Sequence, residues 1–337
     1  MADSESVTRL AEGIAEQLLF PTALATDAAD RVPRSHLDTL AEAGMFGIVG
    51  PREHGGLNAD PAAFCGVVEA LASGCLSTTF VWIQHHTPVR AIASSGNAAL
   101  QLEWLPRLCR GEIRAGIALG GLRAGPSQIE SRRVDGGWLL DGDVPYITGW
   151  SHIDVLFVAA RTSALEPQVV TALVPAQASD SLSVEPLQLL ATNASATVKA
   201  KLRGLFVPDE CVIGVEVYRP PPPYDGGGRP NGSLTLGVAR CCCGLIGASP
   251  LDAELDARRR QLDEAIDQTM AEARAAAAEL ALRAAGALVV SQGSTSLLPA
   301  QHAQRLLREA AFLQVFGGRP AIRDALLSRL GANPSRR

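Results

Sequence analysis

At 337 residues the chain is too long for one small core, and two or three domains, or a large helical assembly with an insert, are expected. A composition of 47% hydrophobic and 19% charged residues suits a folded, soluble protein. The formal charge of −5 leaves no basic footprint for nucleic acid, and no apolar run is long enough to span a membrane.

The start of the chain, Met1 to Gln17, is acidic and lacks the basic and apolar regions of a signal peptide, so a cytoplasmic location is expected. Val7, Leu10, Ile14 and Leu18 fall at helical spacing, and Pro33 can occupy a first turn, so residues 4–50 read as helices. Glycines and Pro51 break Ala43 to Gly56 into a connecting segment. Asp60-Pro61 is an N-cap followed by proline at the first helical position, and Phe64, Val67, Val68 and Leu71 share one apolar face. Residues 76–95 include Trp82, His85 and His86. Adjacent histidines on a helix face different ways and make a poor metal pair, so no metal site is expected.

From Ile113 to about Gly214 the pattern becomes short β-branched runs broken by Gly, Pro and Asp. At its centre, Asp135-Gly136-Gly137 is a tight turn, Trp138-Leu139-Leu140 a short strand and Asp141-Gly142 a second turn. Val144 to Thr148 and Val155 to Ala160 are further strands, which suggests an antiparallel sheet. Pro145 cannot donate to a ladder, so its strand should lie at an edge or bulge there. Ala194 to Val207 alternates as a half-buried strand should. Arg219 to Pro230 is Pro/Gly-rich and reads as a linker, with a polyproline ligand the lesser alternative. The last third is helical: Leu234 to Ile246, the Ala-rich run Asp252 to Val290, a helix opened by Pro299 and stopped by Gly317-Gly318, and a final one from Arg319-Pro320. The expected division is a helical domain at 1–112, a β domain at 113–214, a linker at 215–230 and a helical bundle at 231–337.

The seven cysteines include the run Cys241-Cys242-Cys243. An odd count without a signal peptide argues against a disulfide framework, no CxxC or His/Cys spacing suggests zinc, and buried small hydrophobes are expected.

Several stretches together resemble the acyl-CoA dehydrogenase family. AGMFGIVGPREHGG at 43–56 is similar to its "aGl.gi.vPeeyGG", and LPRLCRGE at 105–112 to its "LP-x-L-x-x-Ge". GGWLLDGDVPYITG at 136–149 is similar to "GG-W-x-L-x-G-x-K-x-(W/F)-I-T-(N/G)-(G/A)". ASATVKAKLRGLFVP at 194–208 follows its "S-x-T-x-x-v-x-f-x-x-v-x-VP" segment, and REAAFLQVFGGRPAIR at 308–323 its "R-(D/E)-A-x-x-x-x-(I/V)-(Y/F)-E-G-x-x-x-x-I-R" segment. The resemblance covers about residues 30–330. It implies an α+β fold with an N-terminal helical domain, a central antiparallel β-barrel domain and a C-terminal helical bundle. It also implies FAD, an acyl-CoA or related thioester, and a homo- or hetero-oligomer. By position, Tyr146 would flank the isoalloxazine and Thr148 would bond near flavin N5. His85 lies on the helix that lines the family's acyl pocket.

The same resemblance marks departures. The base, a Glu in "(Y/F)-E-G", is Gly317 here, between Phe316 and Gly318. The alternative base position, around Ser233-Leu234-Thr235-Leu236, holds no carboxylate. The "TEP-x-aGSD" run reads GGLRAGPS, so its Thr position is Gly120 and its Ser position is Pro126, or Ser127 after a slip. Backbone N–H groups at Gly120 and Gly121 could still hold flavin. The "R-x-x-F-G" loop has no counterpart. Two functions are therefore expected in order: a flavoprotein acting on an acyl thioester with Gly317 in the usual base position, or a catalytically silent subunit of a hetero-oligomeric acyl-CoA dehydrogenase.

Overall fold

The computed structural model describes residues 4–221 and 228–333, so the centre of the Pro/Gly-rich linker lies outside the described residues. Helix α1 (Ser4–Ile14) runs through a π-helical segment (Ala15–Leu19) into α2 (Phe20–Asp27). The buried stripe is Val7, Ala11, Ala15, Leu19 and Ala23, while Leu10 is 47% exposed. The stripe is thus one register away from the one the sequence suggests. Residues four apart drift by about 40° per step on an ideal α-helix, and the wider π turn takes up part of that drift. The small Ala11 and Ala15 lie against α4 (Pro61–Gly74), whose Asp60 cap accepts from Ala63 N at 2.8 Å. In the chain, α3 (Arg34–Glu42) comes between α2 and α4. Helices α5 (Leu76–Gln84), α6 (His86–Ser94) and α7 (Ala98–Cys109) complete the first third.

Eight strands follow: β1 (Ala115–Ala118), β2 (Ile129–Val134), β3 (Gly137–Ile147), β4 (Val155–Arg161), β5 (Gln168–Pro175), β6 (Leu182–Pro186), β7 (Val198–Pro208) and β8 (Val212–Val217). They make one sheet in the order β6-β7-β3-β2-β4-β5-β8, with β1 beside β4. Most pairs are antiparallel, but β1 runs parallel to β4, and a single β2–β4 pairing, Glu130 with Arg161, is also parallel. Asp141-Gly142 is not a turn. β3 passes straight through it with a register slip between Leu140 and Gly142, because β7 pairs with it on both sides. A second slip between Val144 and Ile147 absorbs Pro145. β3 lies between β2 and β7, so the proline is accommodated by a bulge within the sheet. Every residue of β4 is buried. Leu156, Val158 and Ala160 enter the sheet's own core with Trp138 and Leu140, while Val155 and Phe157 meet Val89, Ile92 and Leu108 of α6 and α7 on the other face.

The last third is α8 (Gly228–Ile246), α9 (Pro250–Asp263), α10 (Asp267–Gln292), α11 (His302–Leu313) and α12 (Pro320–Arg329). The Ala-rich run is two helices, α9 and α10, and no Gly or Pro signals the break. Ile266 N bonds Thr269 Oγ1 at 3.0 Å and opens α10. The sheet ends at Val217, three residues past the expected boundary, and α8 begins inside the expected linker. The two helical regions share one hydrophobic core that runs from Val7 to Leu313. All seven cysteines are free and six are buried. Burial pushes the thiols of Cys241 and Cys243 up to about 11, so they act as small hydrophobes. Among the described residues, no helix is long and apolar enough to cross a membrane.

Candidate functional site

The end of β3 carries the two residues that the sequence places against flavin. The bulge at Pro145 separates their environments: Tyr146 is 61% exposed, whereas Thr148 is buried. The chain then turns at Gly149, with φ +83°, where a Cβ would press on Val81 of α5. This turn is held by the segment before β7: Gly149 N donates to Ser195 O at 2.8 Å and Trp150 N to Ala196 O at 3.3 Å. The Thr148 hydroxyl accepts from Thr197 Oγ1 at 3.4 Å. Thr197 and Ser195 are functional candidates that sequence reasoning passed over, although both stand in the S-x-T pattern of 195–197.

Gly120 and Gly121 begin a single 3₁₀ turn between β1 and β2. A Cβ on Gly120 would meet Ile129 Cγ1 at 2.7 Å, and one on Gly121 would meet Ala159 O at 2.6 Å. These glycines let the turn lie flat on β2 and β4, and their side-chain faces are filled by protein. The following loop is fixed by Arg161, whose Nη2 donates to Gly125 O at 2.6 Å and whose guanidinium lies 4.0 Å over the Tyr218 ring. Ser127 Oγ donates to Ile129 O at 2.6 Å. With Glu130, Asp143, Lys199 and Arg203 it lines a groove of about 540 Å³ on the sheet.

His85 is fully committed to the fold. Its Nε2 faces Leu108 O at 3.1 Å, and its Nδ1 accepts from Ala115 N at 3.1 Å. The neutral Nε2–H tautomer satisfies both contacts. Burial pushes its pKa down to about 3. No ring nitrogen is left for a substrate.

The position of the family's Glu base lies where α11 gives way to α12. Phe316 packs edge-on against Phe80 of α5 at 4.9 Å between ring centroids and stacks with Phe312. Gly317 has φ +62°, and a Cβ there would lie 2.9 Å from Asn231 Nδ2 and 3.6 Å from Arg274 Nη2. Arg274 is 4% exposed, donates to Phe316 O at 3.3 Å, and has its pKa lowered to about 10 by burial. A hydrogen-bond donor and a guanidinium thus stand around the spot where a carboxylate would project. Sequence reasoning missed both; the available signal was a lone Arg274 in the Ala-rich stretch between Glu272 and Glu279.

Of four other carboxylates, three are ion-paired and one lies in the turn between β7 and β8. Glu309 is buried against Arg305 Nη1 at 2.8 Å, Asp324 pairs with Arg323 at 2.6 Å, and Glu254 pairs with Arg283. Glu210 is exposed in the turn between β7 and β8. At the alternative base position, Ser233 accepts from Arg229 Nη1 at 2.6 Å.

Residues 2–112 match the family model of the acyl-CoA dehydrogenase N-terminal domain. The isovaleryl-CoA dehydrogenase of Oryza sativa subsp. japonica is 24% identical over 60% of this chain and 52% of its own length. The short-chain specific acyl-CoA dehydrogenase of Clostridium acetobutylicum is 25% identical over 70% of this chain and 65% of its own length. The matches thus span about half to two thirds of these curated relatives. The structure of butyryl-CoA dehydrogenase from Megasphaera elsdenii superposes with a TM-score of 0.83 at 18% identity, covering 97% of both chains. The N-terminal third therefore matches the acyl-CoA dehydrogenase N-terminal domain, and the chain as a whole takes the acyl-CoA dehydrogenase fold, helical domain, central sheet and helical region in that order.

Proposed function

We propose that this chain binds FAD at the end of β3 and takes an acyl-CoA or related thioester, but lacks the general base of an ordinary acyl-CoA dehydrogenase. The observation that carries this reading is the contrast between two positions. Thr148 is a supported hydroxyl beside an exposed aromatic, Tyr146. Position 317 is a left-handed glycine facing Asn231 and Arg274. A flavin would fit the first: Thr148 would donate to its ring and Tyr146 would cover it. Gly120 and Gly121 contribute a close-packed backbone turn. When bound, the flavin would supply a two-electron acceptor. The chain's own residues would supply binding and orientation, with Ser127 at the groove for the thioester. General-base catalysis is worth on the order of 10²–10⁴ in rate, so its loss leaves little ordinary dehydrogenation.

The second reading, a silent subunit completing an active acyl-CoA dehydrogenase chain, is favoured by Gly317 and by exposed apolar residues in the C-terminal third. Val290 is 81% exposed, Leu297 70% and Val315 74%. A homo- or hetero-oligomer is part of both readings.

Substituting Thr148 by Val tests the flavin site. The variant is expected to bind FAD more weakly or with a shifted visible spectrum. Unchanged flavin content and spectrum would remove Thr148 from the site.

A further inference from the structure

We propose that Ser195 and Thr197 form a one-way hydroxyl chain that makes Thr148 a committed hydrogen-bond donor to a heteroaromatic ring nitrogen, with Thr197 as its positioning residue. The inference rests on the flavin reading above and goes beyond it by assigning how the Thr148 hydroxyl is aimed.

The three hydroxyl residues are buried: Ser195 is 0%, Thr197 4% and Thr148 7% exposed. Ser195 Oγ and Thr197 Oγ1 lie 2.8 Å apart, and Thr197 Oγ1 donates to Thr148 Oγ1 at 3.4 Å. A hydroxyl has a single proton. If Thr197 gives its proton to Thr148, it can only accept from Ser195, and the Thr148 proton must go elsewhere. The chain Ser195 → Thr197 → Thr148 therefore has one direction, and each link polarises the next in a low-dielectric setting. The last link is long, as such bonds often are before a ligand draws them together.

The backbone that places this chain adopts an unfavourable shape. Thr192 and Ala196 have φ of +61° and +47°, a region that favours glycine. The loop is held there from several sides. The Asn193 side chain makes two bonds to the Leu189 backbone, at 2.7 and 2.8 Å, and Val32 N donates to Ala194 O at 2.7 Å. Ala196 O accepts from Trp150 N, and the neighbouring Ser195 O from Gly149 N, so this loop grips the turn that follows Thr148. Strain of this kind persists where the surroundings over-determine it. Here it aligns one hydroxyl.

The test compares full-length wild type, Thr197→Val and Thr197→Ser by two measurements. The first is the Thr148 side-chain rotamer, read by NMR of methyl-labelled threonine. The second is titration with FAD and with 5-deaza-FAD, whose ring carries carbon in place of nitrogen at position 5. Thr148 should hold one rotamer in wild type and Thr197→Ser and average over several in Thr197→Val. FAD affinity should fall about 2- to 10-fold in Thr197→Val, the range one neutral hydrogen bond spans, and return in Thr197→Ser. With 5-deaza-FAD, wild type and Thr197→Val should bind alike. A single Thr148 rotamer in Thr197→Val, or an equal loss with both flavins, would overturn the proposal. If wild type binds no FAD, the flavin reading itself fails, and the rotamer measurement still decides whether Thr197 positions Thr148.

Discussion

Position 317 is shaped for a residue without a side chain. Placing Glu there forces an L residue to φ +62°, at a cost of about 1–2 kcal/mol, and pushes on Asn231 2.9 Å away. The new carboxylate would face the Arg274 guanidinium, which favours its charged form and lowers its pKa. A catalytic base needs the opposite shift. Gly317→Glu is therefore expected to lower Tm by several degrees and to gain no acyl-CoA dehydrogenase activity, read by calorimetry and an electron-acceptor assay. His85 gives a second prediction at this scale. Its folded pKa is about 3 against an ordinary 6.5, so between these values the unfolded chain binds a proton that the folded chain refuses. The stability contributed is full above about pH 6.5 and is lost as pH falls toward 3. His302, lowered to about 4, acts in the same direction. Urea midpoints should fall steadily from about pH 7 to 5, and His85→Gln should flatten that slope while lowering stability at neutral pH.

The contact of α4 with α8 hinges on a missing side chain. A Cβ on Gly237 would lie 2.6 Å from both Ala72 Cβ and Glu69 O of α4. Gly237→Ala should push the helices apart and cost about 1–3 kcal/mol, measured by urea denaturation. Elements like these show what the sequence makes legible. The proline bulge in β3 follows from a missing N–H, and α4 from its Asp60 cap, so both can be read locally. The π segment of the first helix, the passage of β3 through Asp141-Gly142 and the break between α9 and α10 cannot. Each is set by a partner distant in sequence: α4 for the first helix, β7 for β3, and the packing of α8 against α10 for the break. The site divides in the same way. Thr148 and Gly317 stand out by motif, whereas Thr197, Asn231 and Arg274 matter only through what the fold brings beside them.

Across the whole molecule, the two helical regions share one core, and the sheet meets it through α5 and α6 of the N-terminal region. Phe80 of α5 reaches Phe316 directly, while Val81, the next residue, lies beside Gly149. One helix therefore touches both halves of the candidate site. The central claim is a flavin site without a working base. It is tested most directly by loading the purified full-length chain with FAD, removing free flavin, and following the visible spectrum while saturated acyl-CoAs of varied chain length are added anaerobically. The account predicts a yellow protein whose oxidised-flavin spectrum is perturbed by a bound thioester but not bleached. A colourless protein, or rapid bleaching by the isolated chain, would contradict it.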